Sequence, residues 1–143
     1  MTTDAEVFDA LKYHFIEVDG NGTRRYYNAE GQYHRADGPA VEWRDGSTEW
    51  WVNGKLHRED GPAVFMLGHG KEWFRNGMRH RDNGPAVEYS NGGGRIWFRN
   101  GQKHRLDGPA VEYPNGCRLW YLYGVEYEAQ EFHDKLTQYG FAK

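Results

Sequence analysis

The sequence predicts an all-β fold. The expected form is an antiparallel β-hairpin repeat array, an elongated single sheet or half-pipe, with short N- and C-terminal capping helices. Three observations carry this. Nearly the same string occurs four times: "HRADGPAV" at 34–41, "HREDGPAV" at 57–64, "HRDNGPAV" at 80–87 and "HRLDGPAV" at 104–111. Its histidines, His34, His57, His80 and His104, are spaced by 23, 23 and 24 residues, and a fixed period of this size marks a repeat array. "NGKLH", "NGMRH" and "NGQKH" precede three of the strings, and Asn-Gly is the strongest short hairpin signal because a type I′ turn needs positive φ at both central residues. Finally, aromatics make up 16% of the chain and there are 19 glycines, which suits a core of rings on short strands joined by tight turns.

The elements follow in order. "TDAEVFDAL" pairs Thr3 with Glu6 in a capping-box pattern, so a short helix is expected over 3–11. Five hairpins are expected over 12–124, the first being "KYHFIEVDGNGTRRYYN". A complete unit reads "PAVFM" as a strand, "LGHG" as a turn, "KEWFR" as a second strand, "NG" as a type I′ turn and "MRH" as a return strand. The extra residue in the 24-residue interval falls in "SNGGGR", a turn, where added length costs little. At the end, Phe132, Leu136 and Tyr139 stand at i, i+4 and i+7 with Gly140 as a stop, which predicts an amphipathic capping helix over 127–140. Repeat arrays need such caps because an open sheet edge invites aggregation. The whole chain, 1–143, is expected to be one repeat domain.

In the recurrent string the structural positions are His34, His57, His80 and His104; Asp37, Asp60, Asn83 and Asp107; and Gly38, Gly61, Gly84 and Gly108. The acid (or Asn83) and the glycine supply a turn, and proline starts the next strand, where its missing N–H does least harm. Positive φ is expected at Gly61, Gly84 and Gly108. Counting back from the hairpin glycine gives two ring columns. One is Tyr27, Trp50, Trp73, Trp97 and Trp120. The other is Asn28, Trp51, Phe74, Phe98 and Tyr121. Neighbouring strand residues face opposite ways, so rings stand on both faces of the sheet. One column is expected to pack with Val41/Trp43, Val64/Met66, Val87/Tyr89 and Val111/Tyr113. The other is either covered by return strands and caps or partly exposed as a binding surface.

The hairpin grammar resembles the MORN repeat and its bacterial YwqK-type relatives, through "NGKLH", "NGMRH" and "NGQKH" with an aromatic strand before each, over roughly residues 12–124. MORN units usually continue "HG-x-G", whereas this chain has "HR-x-D-G-P-A". That variant looks like repeat proteins of bacteriophages and large DNA viruses. The resemblance implies a scaffold for contacts with other proteins or lipid, and some YwqK-type proteins are labelled antitoxins.

The bulk numbers narrow the function further. A net charge of −3 with interleaved signs argues against a general polyanion binder. Cys117 is the only cysteine, which rules out an intrachain disulfide and fits a reducing compartment, so a cytoplasmic site is expected, that of the host cell if the protein is viral. No apolar run approaches the ~20 residues of a membrane span, and "MTTDAEVFDALKY" does not read as a signal peptide.

A metal centre is not expected, since equivalent histidines of adjacent repeats would lie ~10 Å apart. Nor is a cofactor. His, Arg and Asp recur once per unit, whereas catalytic groups are normally singular, so the protein is not expected to be an enzyme. The structural reading stacks each Arg on a ring and pairs it with the turn acid. The functional reading makes Arg35, Arg58, Arg81 and Arg105, with Trp51, Phe74, Phe98 and Tyr121, a surface for a protein partner. The function expected is therefore a non-catalytic protein-binding module, of phage or viral type, that inhibits a host factor such as a defence system. The alternatives are a nucleotide or single-stranded nucleic-acid binder, with rings for stacking and arginines for phosphates, and a structural scaffold or virion component. A monomer or homodimer fits either.

Overall fold

The computed structural model describes residues 13–140. The helix expected over 3–11 lies outside them. Within them the protein is mostly antiparallel β-strands with one C-terminal α-helix. The first strands are β1 (Phe15–Val18), β2 (Arg24–Tyr27), β3 (Val41–Glu42), β4 (Thr48–Glu49), β5 (Trp51–Val52), β6 (Lys55–Leu56) and β7 (Val64–Met66). Next come β8 (Gly70–Glu72), β9 (Phe74–Arg75), β10 (Met78–Arg79), β11 (Val87–Tyr89), β12 (Arg95–Ile96) and β13 (Phe98–Arg99). The chain ends with β14 (Gln102–Lys103), β15 (Val111–Glu112), β16 (Arg118–Leu122), β17 (Val125–Tyr127) and α1 (Ala129–Gln138).

The chain divides into two compact units. The first runs to Leu67 and includes Trp73–Gly77. Its sheet order is β1-β2-β3-β4-β7, with β5 and β6 paired as a separate hairpin. The second unit comprises Gly68–Glu72 and the chain from Met78 onward. Its sheet order is β8-β11-β12-β15-β16-β17, with β13 and β14 as the separate hairpin.

The expectation of one continuous strand before each Asn-Gly is corrected. "TEWWV" is two strands parted at Trp50, and "RIWFR" is two strands parted at Trp97. The backbone changes partners there. Trp50 N–H donates to the Ala63 carbonyl and Trp97 N–H to the Ala110 carbonyl, at 2.6 and 2.8 Å. Their own carbonyls accept from His57 N–H and His104 N–H. Ahead of the tryptophan the chain belongs to the sheet; after it, to the small hairpin. In the last repeat β16 runs through Trp120 unbroken and pairs on both sides, with β15 and β17. The strands after the connector begin at valine, two residues past proline rather than at it.

The Asn-Gly turns follow their chemistry. Asn53, Asn76 and Asn100 have φ of 46°, 50° and 47°, and the glycine after each is also positive. The sheet hairpins use a different device. In "WRDGS" the Gly46 N–H donates to the Trp43 carbonyl and the Trp43 N–H to the Ser47 carbonyl, with Gly46 at φ 92°. That is the three-residue loop with a left-handed last residue. Tyr113–Cys117 repeats it. The insertion in "SNGGGR" sits in a 3-10 turn over Ser90–Gly92.

The core is built from the alanine and valine of each connector. Ala40, Ala63, Ala86 and Ala110 are all 0% exposed, and Val41, Val87 and Val111 are buried. In the second unit Val87, Ile96 and Val111 face one another across β11, β12 and β15 and form one cluster. Tyr89, expected beside Val87 in the core, is exposed instead. It sits where the longer "SNGGG" loop leaves the sheet.

Helix α1 packs Phe132 and Leu136 against Leu122 of β16. Tyr139, expected on the same face, is exposed. It is the C-cap, one position past the last helical residue, and Gly140 follows with φ 76°.

The connector face, a candidate binding site

Each connector is a small closed network. In the second one, Arg58 Nε donates to Asp60 Oδ1 at 3.0 Å and Nη1 donates to the Pro62 carbonyl at 3.1 Å. Its Cζ lies 4.0 Å above the Trp50 ring. Arg35 repeats this with Asp37, Pro39 and the Tyr26 ring, and Arg105 with Asp107, Pro109 and the Trp97 ring. Arg81 Nη1 reaches the Pro85 carbonyl. Arg35, Arg81 and Arg105 also pair with Glu42, Glu88 and Glu112, seven residues on; Arg58 has Phe65 at that position. Cation–π contact of this kind contributes about 0.5–2 kcal/mol.

Glycine is needed here for closeness, and the expectation of positive φ is corrected for two of three positions. Gly84 has φ 146°, but Gly61 and Gly108 lie outside the left-handed region, as does Gly38. A Cβ at Gly38, Gly61, Gly84 or Gly108 would meet Cζ of the arginine three residues back at 2.8, 2.9, 3.1 or 3.1 Å. The guanidinium lies over the turn, and a side chain at the glycine would displace it from its ring.

The histidines act on the next repeat. Nδ1 of His34, His57, His80 and His104 accepts the backbone N–H of Asn53, Asn76, Asn100 and Tyr123, each at 3.0 Å. Each imidazole thus holds the first residue of the following type I′ turn. An accepting Nδ1 carries no hydrogen, which places the ring hydrogen on Nε2. Burial, and then the positive charge of Arg99, hold His104 below the usual histidine value of 6.5. Among the described residues no three His, Cys, Asp or Glu side chains gather in a metal-binding cluster.

The ring columns shift by one in the first repeat. Tyr26, not Tyr27, stands with Trp50 and Trp97: it carries Arg35 on its ring, and its carbonyl accepts from His34 N–H. Tyr27 opposite Tyr33 then corresponds to Trp51 opposite Leu56 and Phe98 opposite Lys103. The cause is the first turn. Asn28 N–H donates to the Gln32 carbonyl, so Ala29, Glu30 and Gly31 form a three-residue loop where the other repeats have two.

Trp51, Phe74, Phe98 and Tyr121 are all half-buried. Trp51 Nε1 donates to Glu49, and its ring lies 5.6 Å from Tyr33. Phe98 and Tyr121 pack on the Val87 cluster. The return strands lay cations on them, Arg79 at 5.7 Å from the Phe98 ring and Lys103 at 4.9 Å from the Tyr121 ring.

Among the described residues, a groove opens between successive connectors within each unit. In the first unit Arg35, Ala36 and Asp37 face His57, Arg58, Glu59 and Asp60 across Trp50 and Val52, enclosing about 340 Å³. In the second unit His80–Gly84 faces His104–Asp107 across Trp97, Phe98 and Arg99, enclosing about 510 Å³. Five of the eight expected contact residues line these grooves: Arg35 and Arg58 the first, and Arg81, Arg105 and Phe98 the second. Trp51, Phe74 and Tyr121 line neither. Val52 and Arg99, equivalent floor residues two past the tryptophan, carried no repeat signal in the sequence. No family model, curated protein or solved structure matches the chain.

Proposed function

We propose that the protein is a non-catalytic protein-binding repeat module of the MORN-like kind, of bacteriophage or viral origin, and that it binds and inhibits a host factor such as a defence protein. The observation that supports this is the groove recurring at the same place in both units, between one HR-x-D-G connector and the next. Each has an aromatic floor fixed by the fold and a rim of exposed acids. The side chains of Asp60 and Asp107 are 83% and 85% exposed. Rigid rings beneath polar, accessible rims are the anatomy of a protein interface. The same geometry counts against phosphate recognition as the general role. Arg35, Arg58 and Arg105 spend Nε and Nη1 on their own turn.

The test is affinity capture from host lysate with wild type and with the floor variant Val52→Lys/Arg99→Glu, both checked for folding by melting. A host protein captured by wild type and lost with the variant is expected. Identical captures would sink the reading. Tight binding of a short single-stranded oligonucleotide, weakening steeply with salt, would replace it with the nucleic-acid alternative.

A further inference from the structure

The fourth connector carries a hydrogen-bond donor that nothing meets. His104 is 6% exposed, and its Nδ1 is taken by Tyr123 N–H, so Nε2 bears the hydrogen. Among the described residues, Nε2 of His104 is the buried side-chain nitrogen or oxygen without a partner. A buried donor left unmet is costly, so the site favours an acceptor that reaches it.

Two sister connectors show what this N–H takes. His57 Nε2 meets Glu59 Oε1 at 2.9 Å, and His80 Nε2 meets Asp82 Oδ1 at 2.8 Å. In both, the acid stands two residues after the histidine. After His104 that position is Leu106, which packs on the Leu122, Phe132 and Leu136 cluster. The carboxylate that answers the imidazole elsewhere has been exchanged for a core residue.

The groove around His104 has changed sign to match. The first-unit groove sets two arginines against three carboxylates, Asp37, Glu59 and Asp60. The second-unit groove sets three arginines, Arg81, Arg99 and Arg105, against two carboxylates, Asp82 and Asp107. The difference arises at Leu106 in place of Glu59 and at Arg99 in place of Val52. Arg99 is exposed, and its side chain makes no hydrogen bond or ion pair with a described residue.

We propose that the second-unit groove is a carboxylate-binding site, and that its occupant is an Asp or Glu side chain presented by the partner protein. A carboxylate oxygen accepts His104 Nε2–H, in the role Glu59 and Asp82 play in their own connectors. Arg99 supplies the opposing charge. The nitrogen is covered, so entry requires a side chain to swing aside. Tyr123, half exposed with its ring 4.1 Å from the imidazole, is the one placed to do so. The proposal rests on reading the connector face as the docking surface.

The test is nitrogen-15 NMR of the histidine rings in the full chain, titrated with acetate, with a short capped glutamate peptide and with inorganic phosphate. A saturable shift at His104 Nε2 is expected with acetate and with the peptide. Arg99→Gln should weaken it about two- to fivefold, the range of an exposed ion pair. Leu106→Asp should abolish it by supplying the acid internally; if that variant does not fold, Arg99→Gln carries the test. No saturable shift with either carboxylate, no weakening in Arg99→Gln, or a response to phosphate alone would overturn the site. A response to acetate without one to the peptide would overturn the protein side chain as occupant. A full response in a protein that captures no host factor separates the two readings: the carboxylate site stands and the docking surface falls.

Discussion

Arg58 lies over Trp50 at 4.0 Å, and Gly61 beneath it has no room for a Cβ, which would come within 2.9 Å of the guanidinium carbon. Arginine, ring and glycine are therefore one device, and their substitutions must be non-additive. Gly61→Ala is expected to push the guanidinium off the Trp50 ring and so to cost about 0.5–2 kcal/mol, the worth of that stacking. In an Arg58→Ala background the same change should cost close to nothing. At Gly84, where φ is 146°, Gly84→Ala should stay costly even with Arg81→Ala. Denaturant melts of the two double-mutant cycles check this. Additive losses at Gly61 would show that the guanidinium does not define the glycine.

The C-terminal helix closes the second unit by a narrow contact. Phe132 is 1% exposed and Leu136 7%. Phe132→Ala should cost about 3–5 kcal/mol, while Tyr139→Ala, at the exposed C-cap, should fall within about 0.5 kcal/mol of wild type. Deleting 128–143 should bare Leu122 and Leu106 and drive association, read by light scattering. A monomeric truncation with unchanged melting would show that the helix is no cap.

Much of this was legible, and the rest was hidden for identifiable reasons. Asn53-Gly54 and its sisters announce their turns because few other pairs tolerate two positive φ values. The stacking of Arg on a ring is readable from composition alone, but which ring is not. In the first repeat one extra residue in Ala29–Gly31 moves the column from Tyr27 to Tyr26. The histidine's work was invisible because its partner lies 19 or 20 residues ahead, in the next unit of the repeat. Gly61 and Gly108 looked like left-handed turn residues; the demand on them comes from a side chain three residues back, which no turn rule contains. The strand breaks at Trp50 and Trp97 arise from pairing with alanine carbonyls further along the chain.

Tyr123 occupies the place that Asn53, Asn76 and Asn100 hold in the other type I′ turns, with φ 48°. Left-handed backbone costs most residues about 1–2 kcal/mol and asparagine less. Its ring, half exposed, recovers part of that against His104 at 4.1 Å. Tyr123→Asn is expected to stabilise the protein by about 0.5–1 kcal/mol in thermal or urea melts. A loss of stability would mean that the ring contact outweighs the backbone strain.

His104 gives the last prediction, an acid sensitivity of definite sign. Its folded-state affinity for a proton is depressed, first by burial and then by Arg99. Between that lowered value and the ordinary 6.5, the unfolded chain binds more protons than the folded one, so stability rises with pH across this window. The contribution is fully present above the unfolded value and is lost as pH falls from there through the folded-state value. Protonation also places a hydrogen on Nδ1, opposing the Tyr123 N–H that Nδ1 now accepts. His104→Asn keeps an acceptor at that position without a titrating group. Melting temperatures taken from pH 7.5 down to 5 should therefore fall less steeply for His104→Asn than for wild type. Wild type and variant losing stability in parallel would show that His104 titrates alike in the folded and unfolded chain, and that its buried ring is no acid-sensitive joint between one repeat and the next.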